Sequence, residues 1–353
     1  MAAAPDSQPT TEPGGDGLRL CWRPFRLPLP RPLRTARGLI TGKRGWLLRL
    51  EDREGALGWG EASPLEGEIE PLAAAIDALG AARQRAELER TLPALPPALG
   101  FALGAALAEL DGLPRRRWLP APQPAVLLPA GAEALVAVAE VLATPSPPSP
   151  RKGPLPLTCK WKVATGEDRQ ERRLLEELLR LLPAAARLRL DANGGWDRPT
   201  AAAWAARLVD EPRLEWIEQP LDPADSEGLA DLRRRFPCLP LALDESLHRH
   251  PCLRERWRGW QVRRPSQEGD PRPLLAALER GTPRQMLSTG FETGIGRRWL
   301  HHLAALQVEG ATPAAPGLAP GWQVAGELGS ADPQRVWRAA GPVSGQGTEQ
   351  GDP

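Results

Sequence analysis

From Gln123 onward the chain alternates short apolar strand-like runs with helical runs, and this alternation constrains its fold more than any other feature. The strand readings are Ala125 to Leu128, Leu157 to Val163, Arg187 to Asp191, Leu214 to Glu218, Leu239 to Asp244, Gln261 to Arg264 and Gln285 to Ser288. Amphipathic or apolar helical runs separate them, including Ala132 to Ala143, Glu167 to Leu182, Thr200 to Val209 and Gly296 to Gln307. Parallel strands need a crossover, and a helix is the usual one. Seven or eight such units predict an α/β barrel rather than an open sheet.

A barrel of this kind carries its chemistry at the C-terminal ends of its strands. Those ends read Lys160 and Lys162, Asp191, Glu218, Asp244, Arg264, then Ser288 and Thr289. The intervals from Lys162 through Ser288 are 29, 27, 26, 20 and 24 residues, each close to one strand-helix unit. Asp191, Glu218 and Asp244 on consecutive strands would repel one another unless a cation lay among them. Hard oxygen ligands favour Mg²⁺ over zinc. Any one of these acids alone reads more readily as an ordinary cap or loop residue; the periodic set predicts a divalent metal site.

The lysines sharpen the prediction. Of 45 basic residues only Lys43, Lys152, Lys160 and Lys162 are not arginine. Arginine cannot give up its proton near neutrality, whereas lysine can be brought toward neutrality by its surroundings. Lys160 and Lys162 alternate on a strand, so both project to one side, about 6 to 7 Å apart. An isolated Lys-x-Lys is ordinarily a solvated strand face. Beside three carboxylates it becomes a candidate base next to a metal, suited to taking a proton adjacent to a carboxylate.

Before the barrel, residues 18–115 show three strand-like runs followed by the helical runs Pro71 to Arg90 and Pro97 to Leu110, an α+β module. Residues 123–310 are assigned to the barrel and 311–340 to a segment returning to the first module. Residues 1–17 and 341–353 read as disordered tails, and Thr144 to Pro156 as a proline-rich surface loop. With 45 basic against 44 acidic residues, nothing favours nucleic acid or an anionic membrane as partner. No apolar run spans a membrane, and the cysteines, Cys21, Cys159, Cys238 and Cys252, lack zinc or disulfide spacing. A cytoplasmic enzyme acting on a small carboxylate is expected; oligomeric state is left open.

The set formed by Lys160-Trp161-Lys162, Leu190-Asp191-Ala192-Asn193, Ile217-Glu218-Gln219-Pro220 and Asp244-Glu245-Ser246 resembles the enolase superfamily, and within it the o-succinylbenzoate synthase family. Supporting motifs are Pro32-Leu33-Arg34-Thr35-Ala36-Arg37-Gly38, Gly58-Trp59-Gly60-Glu61-Ala62-Ser63-Pro64-Leu65 and Phe291-Glu292-Thr293-Gly294-Ile295-Gly296. The resemblance implies a (β/α)7β TIM-like barrel with an α+β capping domain, and Mg²⁺ on Asp191, Glu218 and Asp244. It implies syn-dehydration of 2-succinyl-6-hydroxy-2,4-cyclohexadiene-1-carboxylate to 2-succinylbenzoate in menaquinone or phylloquinone biosynthesis, with Lys162 as base and Lys160 as electrostatic support. Ser288, Thr289 and Gly290 would lie near the succinyl carboxylate, Arg34 and Arg37 in a closing loop, and Asn193 behind the metal ligands. For these six, ordinary turn or surface chemistry reads as well. Where the family usually carries a lysine on the sixth strand, this chain has Arg264 in Val262-Arg263-Arg264-Pro265. That departure keeps two alternatives open: a related cycloisomerase, racemase or epimerase, and an inactive barrel retained for binding.

Overall fold

The computed structural model describes residues 17–35, 38–65, 69–114, 117–144 and 155–342. The expected tails, the proline-rich loop and Arg37 fall wholly or mostly outside them. Two sheets organise the described chain. The first is antiparallel and four-stranded, with β1 (Gly17–Thr35), β2 (Gly38–Glu51), β3 (Leu57–Ala62) and β4 (Ala82–Gln84) in the order β3-β2-β1-β4.

The helical run expected over Pro71 to Arg90 is divided. A helix over Glu70–Leu79 ends at Gly80, whose φ of 68° suits a residue without Cβ; β4 then pairs with the start of β1 before a second helix, Arg85–Thr91. Periodicity alone carried the helix too far because the free edge of β1 competes for residues 82–84.

The second sheet is parallel: β5 (Val126–Leu128), β6 (Thr158–Lys162), β7 (Arg187–Asp191), β8 (Leu214–Glu218), β9 (Leu241–Leu243), β10 (Trp260–Arg263) and β11 (Gln285–Leu287), each paired with the next. Residues 316–317 close it. Gly317 bridges Ser288 beside β11, and the Ala125 N–H beside β5 donates to the Pro316 carbonyl at 2.9 Å. This yields a capped TIM-like barrel.

Strand alternation sorts the side chains. On β6, Cys159 and Trp161 are fully buried with the surrounding helices, in a cluster containing Leu175 and Leu178 of the helix Asp168–Leu181. Lys160 and Lys162 take the opposite, inner face. Inside the barrel Trp216, Trp260, Val262 and Met286 pack together.

The same alternation on β3 joins sheet to barrel. Gly58 and Gly60 lie so close to the helix Pro97–Leu110 that a Cβ on either would sit 2.0 Å from the carbonyl oxygens of Ala106 and Ala102. On the other face, Trp59 meets Trp337 edge-on at 5.7 Å, and Glu61 accepts from Thr293. Among the described residues no helix is long and apolar enough to cross a membrane.

Candidate active site

The seven parallel strands deliver their last side chains to one mouth. Lys162, Asp191 and Glu218 end β6, β7 and β8; Asp244, Arg264 and Ser288 follow β9, β10 and β11 by one residue. Ala164, Asn193, Gln219 and Phe291, just beyond four of these strands, have φ between 40° and 61°. Left-handed backbone is uncommon for residues other than glycine, and its concentration here means packing holds the strand exits in costly turns.

A cavity of about 270 Å³ opens at this mouth, lined by Lys160, Lys162, Asp191, Asn193, Asp244, Arg264, Ser288 and Thr289 among the expected residues. Glu218 is fully buried behind it. Gly290 is not part of the lining; its carbonyl instead accepts from Lys43. Arg34 sits on β1 opposite Leu39, and Arg37 is outside the described residues. His248 also contributes to the lining.

The charges interlock. The Lys160 ammonium lies 2.8 Å from Asp191 Oδ2 and 2.6 Å from Glu218 Oε1. Burial pulls its pKa down, but the charges of Asp191, Glu218 and Asp244 outweigh that and raise it, so Lys160 is held as a cation. Arg264 donates from Nε and Nη2 to the two oxygens of Asp244, at 3.1 and 2.6 Å, and from Nη1 to the Thr289 carbonyl at 2.6 Å. Burial and the Asp191 charge push Glu218 up to about 7 despite Lys160. Burial, with Asp244 and Asp191, pushes Glu245 up to about 8.

Among the described residues no three His, Cys, Asp or Glu side chains already stand in a mutual ligating arrangement. Lys160 lies between two of the expected ligands and Arg264 covers the third. The donor set nevertheless fits a hard divalent cation. Asp191, Glu218, Asp244 and Glu245 gather at adjacent strand exits, and Glu245 Oε2 and Asn193 Oδ1 are buried acceptors without donors. Two buried acceptors are thus left without a donor beside these carboxylates, and side-chain cations occupy the places where positive charge is required.

Asn193 braces the group, donating from Nδ2 to Glu245 at 2.9 Å and from its backbone N–H to Asp191 at 3.0 Å. Sequence reasoning missed three contributors. Arg189, two residues before Asp191 on the same strand face, is fully buried over the Trp216 ring at 4.0 Å. Its Nε donates to Glu215 at 2.6 Å, while Nη1 and Nη2 have no partner, and the residue lines the cavity. The alternation Arg187, Arg189, Asp191 was the available signal. Glu245 was legible as the neighbour of Asp244. Leu65 of the antiparallel module also lines the cavity, its N–H held by Gln267 at 2.8 Å; the motif Gly58 to Leu65 was the available signal.

Residues 157–256 match the family model described as Enolase C-terminal domain-like. The chain is 36% identical over 299 residues to an o-succinylbenzoate synthase of Thermosynechococcus vestitus, covering 81% of this chain and 88% of that protein. A 63-residue stretch is 46% identical to an o-succinylbenzoate synthase of Thermobifida fusca, covering 18% of this chain and 19% of that one. The crystal structure of o-succinylbenzoate synthase from Thermosynechococcus elongatus BP-1, complexed with Mg in the active site, superposes with a TM-score of 0.75 and 31% identity, over 91% of this chain and 99% of that one. The L-Ala-D/L-Glu epimerase of Bacillus subtilis shares the fold, with a TM-score of 0.63 and 21% identity over 84% and 89%.

Proposed function

The chain belongs to the o-succinylbenzoate synthase family of the enolase superfamily, and from that membership we propose that it catalyses the Mg²⁺-dependent syn-dehydration of 2-succinyl-6-hydroxy-2,4-cyclohexadiene-1-carboxylate to 2-succinylbenzoate. The observation that carries the reading is the convergence of Lys160, Lys162 and the strand-exit carboxylates on one cavity. Asp191, Glu218 and Asp244 are the residues to hold the cation. When bound, it supplies electrostatic stabilisation to the substrate carboxylate as the neighbouring proton leaves.

The side chains divide the remaining work. Lys162, at the end of β6, takes the ring proton next to the carboxylate. The C–H electron pair moves toward that carboxylate, the ring C–O bond breaks, and Lys162 returns its proton to the departing hydroxyl, so water leaves and the ring becomes aromatic. Lys160, locked as a cation between two acids, stabilises negative charge but accepts no proton. Arg264 is a second fixed cation, with Nε and both Nη groups engaged. Ser288 and Thr289, which line the cavity, suit the second carboxylate, on the succinyl arm. The product enters menaquinone or phylloquinone biosynthesis in the cytoplasm, a placement supported by four free cysteines.

The test is the aromatisation assay on purified protein with Mg²⁺, before and after chelation. Turnover that disappears with chelator and returns with Mg²⁺ is expected. Folded protein that never aromatises the substrate would remove the reading.

Arg264 also separates this activity from racemisation. Inversion needs an ionisable group on each face of the substrate. A guanidinium with a pKa above about 12 cannot serve as the second base, and the Asp244 charge raises it further against the effect of burial. Incubating each enantiomer of an N-succinyl amino acid in D₂O is expected to give at most α-deuteration with retention. Inversion at a rate comparable with dehydration would place another base opposite Lys162.

A further inference from the structure

The described lysines are Lys43, Lys160 and Lys162, and the mechanism uses only the last two. Lys43 lies on β2 of the antiparallel sheet and is only 4% exposed. Its ammonium donates to the backbone carbonyls of Gly290 and Phe291, across nearly 250 residues of chain. These two residues belong to the segment between β11 and the helix Gly294–Val308, whose Ser288, Thr289 and Phe291 line the cavity.

This segment is held from several sides. Phe291 has φ of 61°, a turn that its own conformational preference resists. Glu292 folds inward, accepting from Gly290 N at 2.7 Å, Ser266 Oγ at 2.6 Å and Thr289 Oγ1 at 2.7 Å. Arg264 holds the Thr289 carbonyl at the barrel mouth. Successive carbonyls, Thr289 to Phe291, are therefore claimed by a cation from the barrel and a cation from the sheet.

A buried ammonium is a costly way to join two layers. Replacing buried charge by apolar side chains is often neutral or stabilising, so adhesion alone does not account for Lys43. Its compact ammonium, with three donors on one atom, reaches two adjacent carbonyls, which a planar guanidinium does less readily. Burial lowers its pKa, and the charges of Glu61 and Glu292 offset only part of that.

We infer that Lys43 is a positioning residue for the dehydration: from the antiparallel sheet it sets the conformation of residues 289–291 against the cavity, so that substrate binding depends on a side chain that does not line it. The inference rests on the dehydratase reading above.

The test compares wild type, Lys43→Met and Lys43→Gln in the Mg²⁺-loaded enzyme, reading KM, kcat and melting temperature. Lys43→Met is expected to raise KM by about tenfold or more, the scale of losing hydrogen bonds to a charged donor, while kcat stays within about threefold. Lys43→Gln, which restores one neutral donor, should recover part of the loss. An unchanged KM in folded Lys43→Met overturns the inference. Failure of both variants to fold overturns it too, by assigning Lys43 to the fold alone. A wild type that does not aromatise the substrate sinks the dehydratase reading first and this one with it; an active wild type matched by Lys43→Met sinks this one alone.

Discussion

Lys162→Arg is expected to lower kcat by about 10²- to 10⁴-fold, the range supplied by a positioned general base, while substrate and Mg²⁺ affinities stay within a few-fold. The substitution keeps a positive charge at the end of β6 and removes the ability to accept a proton near neutral pH. The geometry leaves no substitute base among the nearby cations. Lys160 is pinned by Asp191 and Glu218, and Arg264 by Asp244 and Thr289. Single-turnover kinetics with the cyclohexadiene substrate measure the effect directly. Substantial residual turnover in the arginine variant would move the base elsewhere in the cavity.

Asp191→Ala and Asp244→Ala are each expected to weaken Mg²⁺ binding by more than about 100-fold and to abolish activity with the barrel still folded, since even supporting residues of metal sites are worth about 10- to 100-fold. The two variants should differ in their side effects. Without Asp191, Lys160 keeps Glu218 as a partner at 2.6 Å. Without Asp244, Arg264 retains the Thr289 carbonyl but loses the carboxylate it is paired with, so this variant should also lose more stability, because a part-buried cation is left without its counter-charge. Calorimetric Mg²⁺ titration and thermal melts on the same preparations separate the two effects. Unchanged Mg²⁺ affinity in both variants would overturn the assignment of these carboxylates as ligands.

The chain's own periodicities determined which side chains face the barrel mouth. Alternation in Thr158-Cys159-Lys160-Trp161-Lys162 puts two tryptophan- and cysteine-type positions into the helix-facing core and two lysines on the inner face, and the spacing of one polar residue per strand-helix unit places Asp191, Glu218, Asp244, Arg264 and Ser288 at strand exits. Both signals are local, because a strand's facing and a unit's length are written in neighbouring residues. Tertiary structure decided the pairings. Lys160 sits on Asp191 and Glu218, Arg264 spans Asp244 and Thr289, Gly290 turns its carbonyl to Lys43, and Leu65 reaches the cavity through Gln267. It also decided that Ala82–Gln84 would leave a helical run for the edge of β1, and that Pro316 and Gly317 would close the barrel. These contacts join residues from about 20 to more than 240 positions apart, and they depend on charge, volume and free hydrogen-bonding edges that meet only after the two sheets have packed.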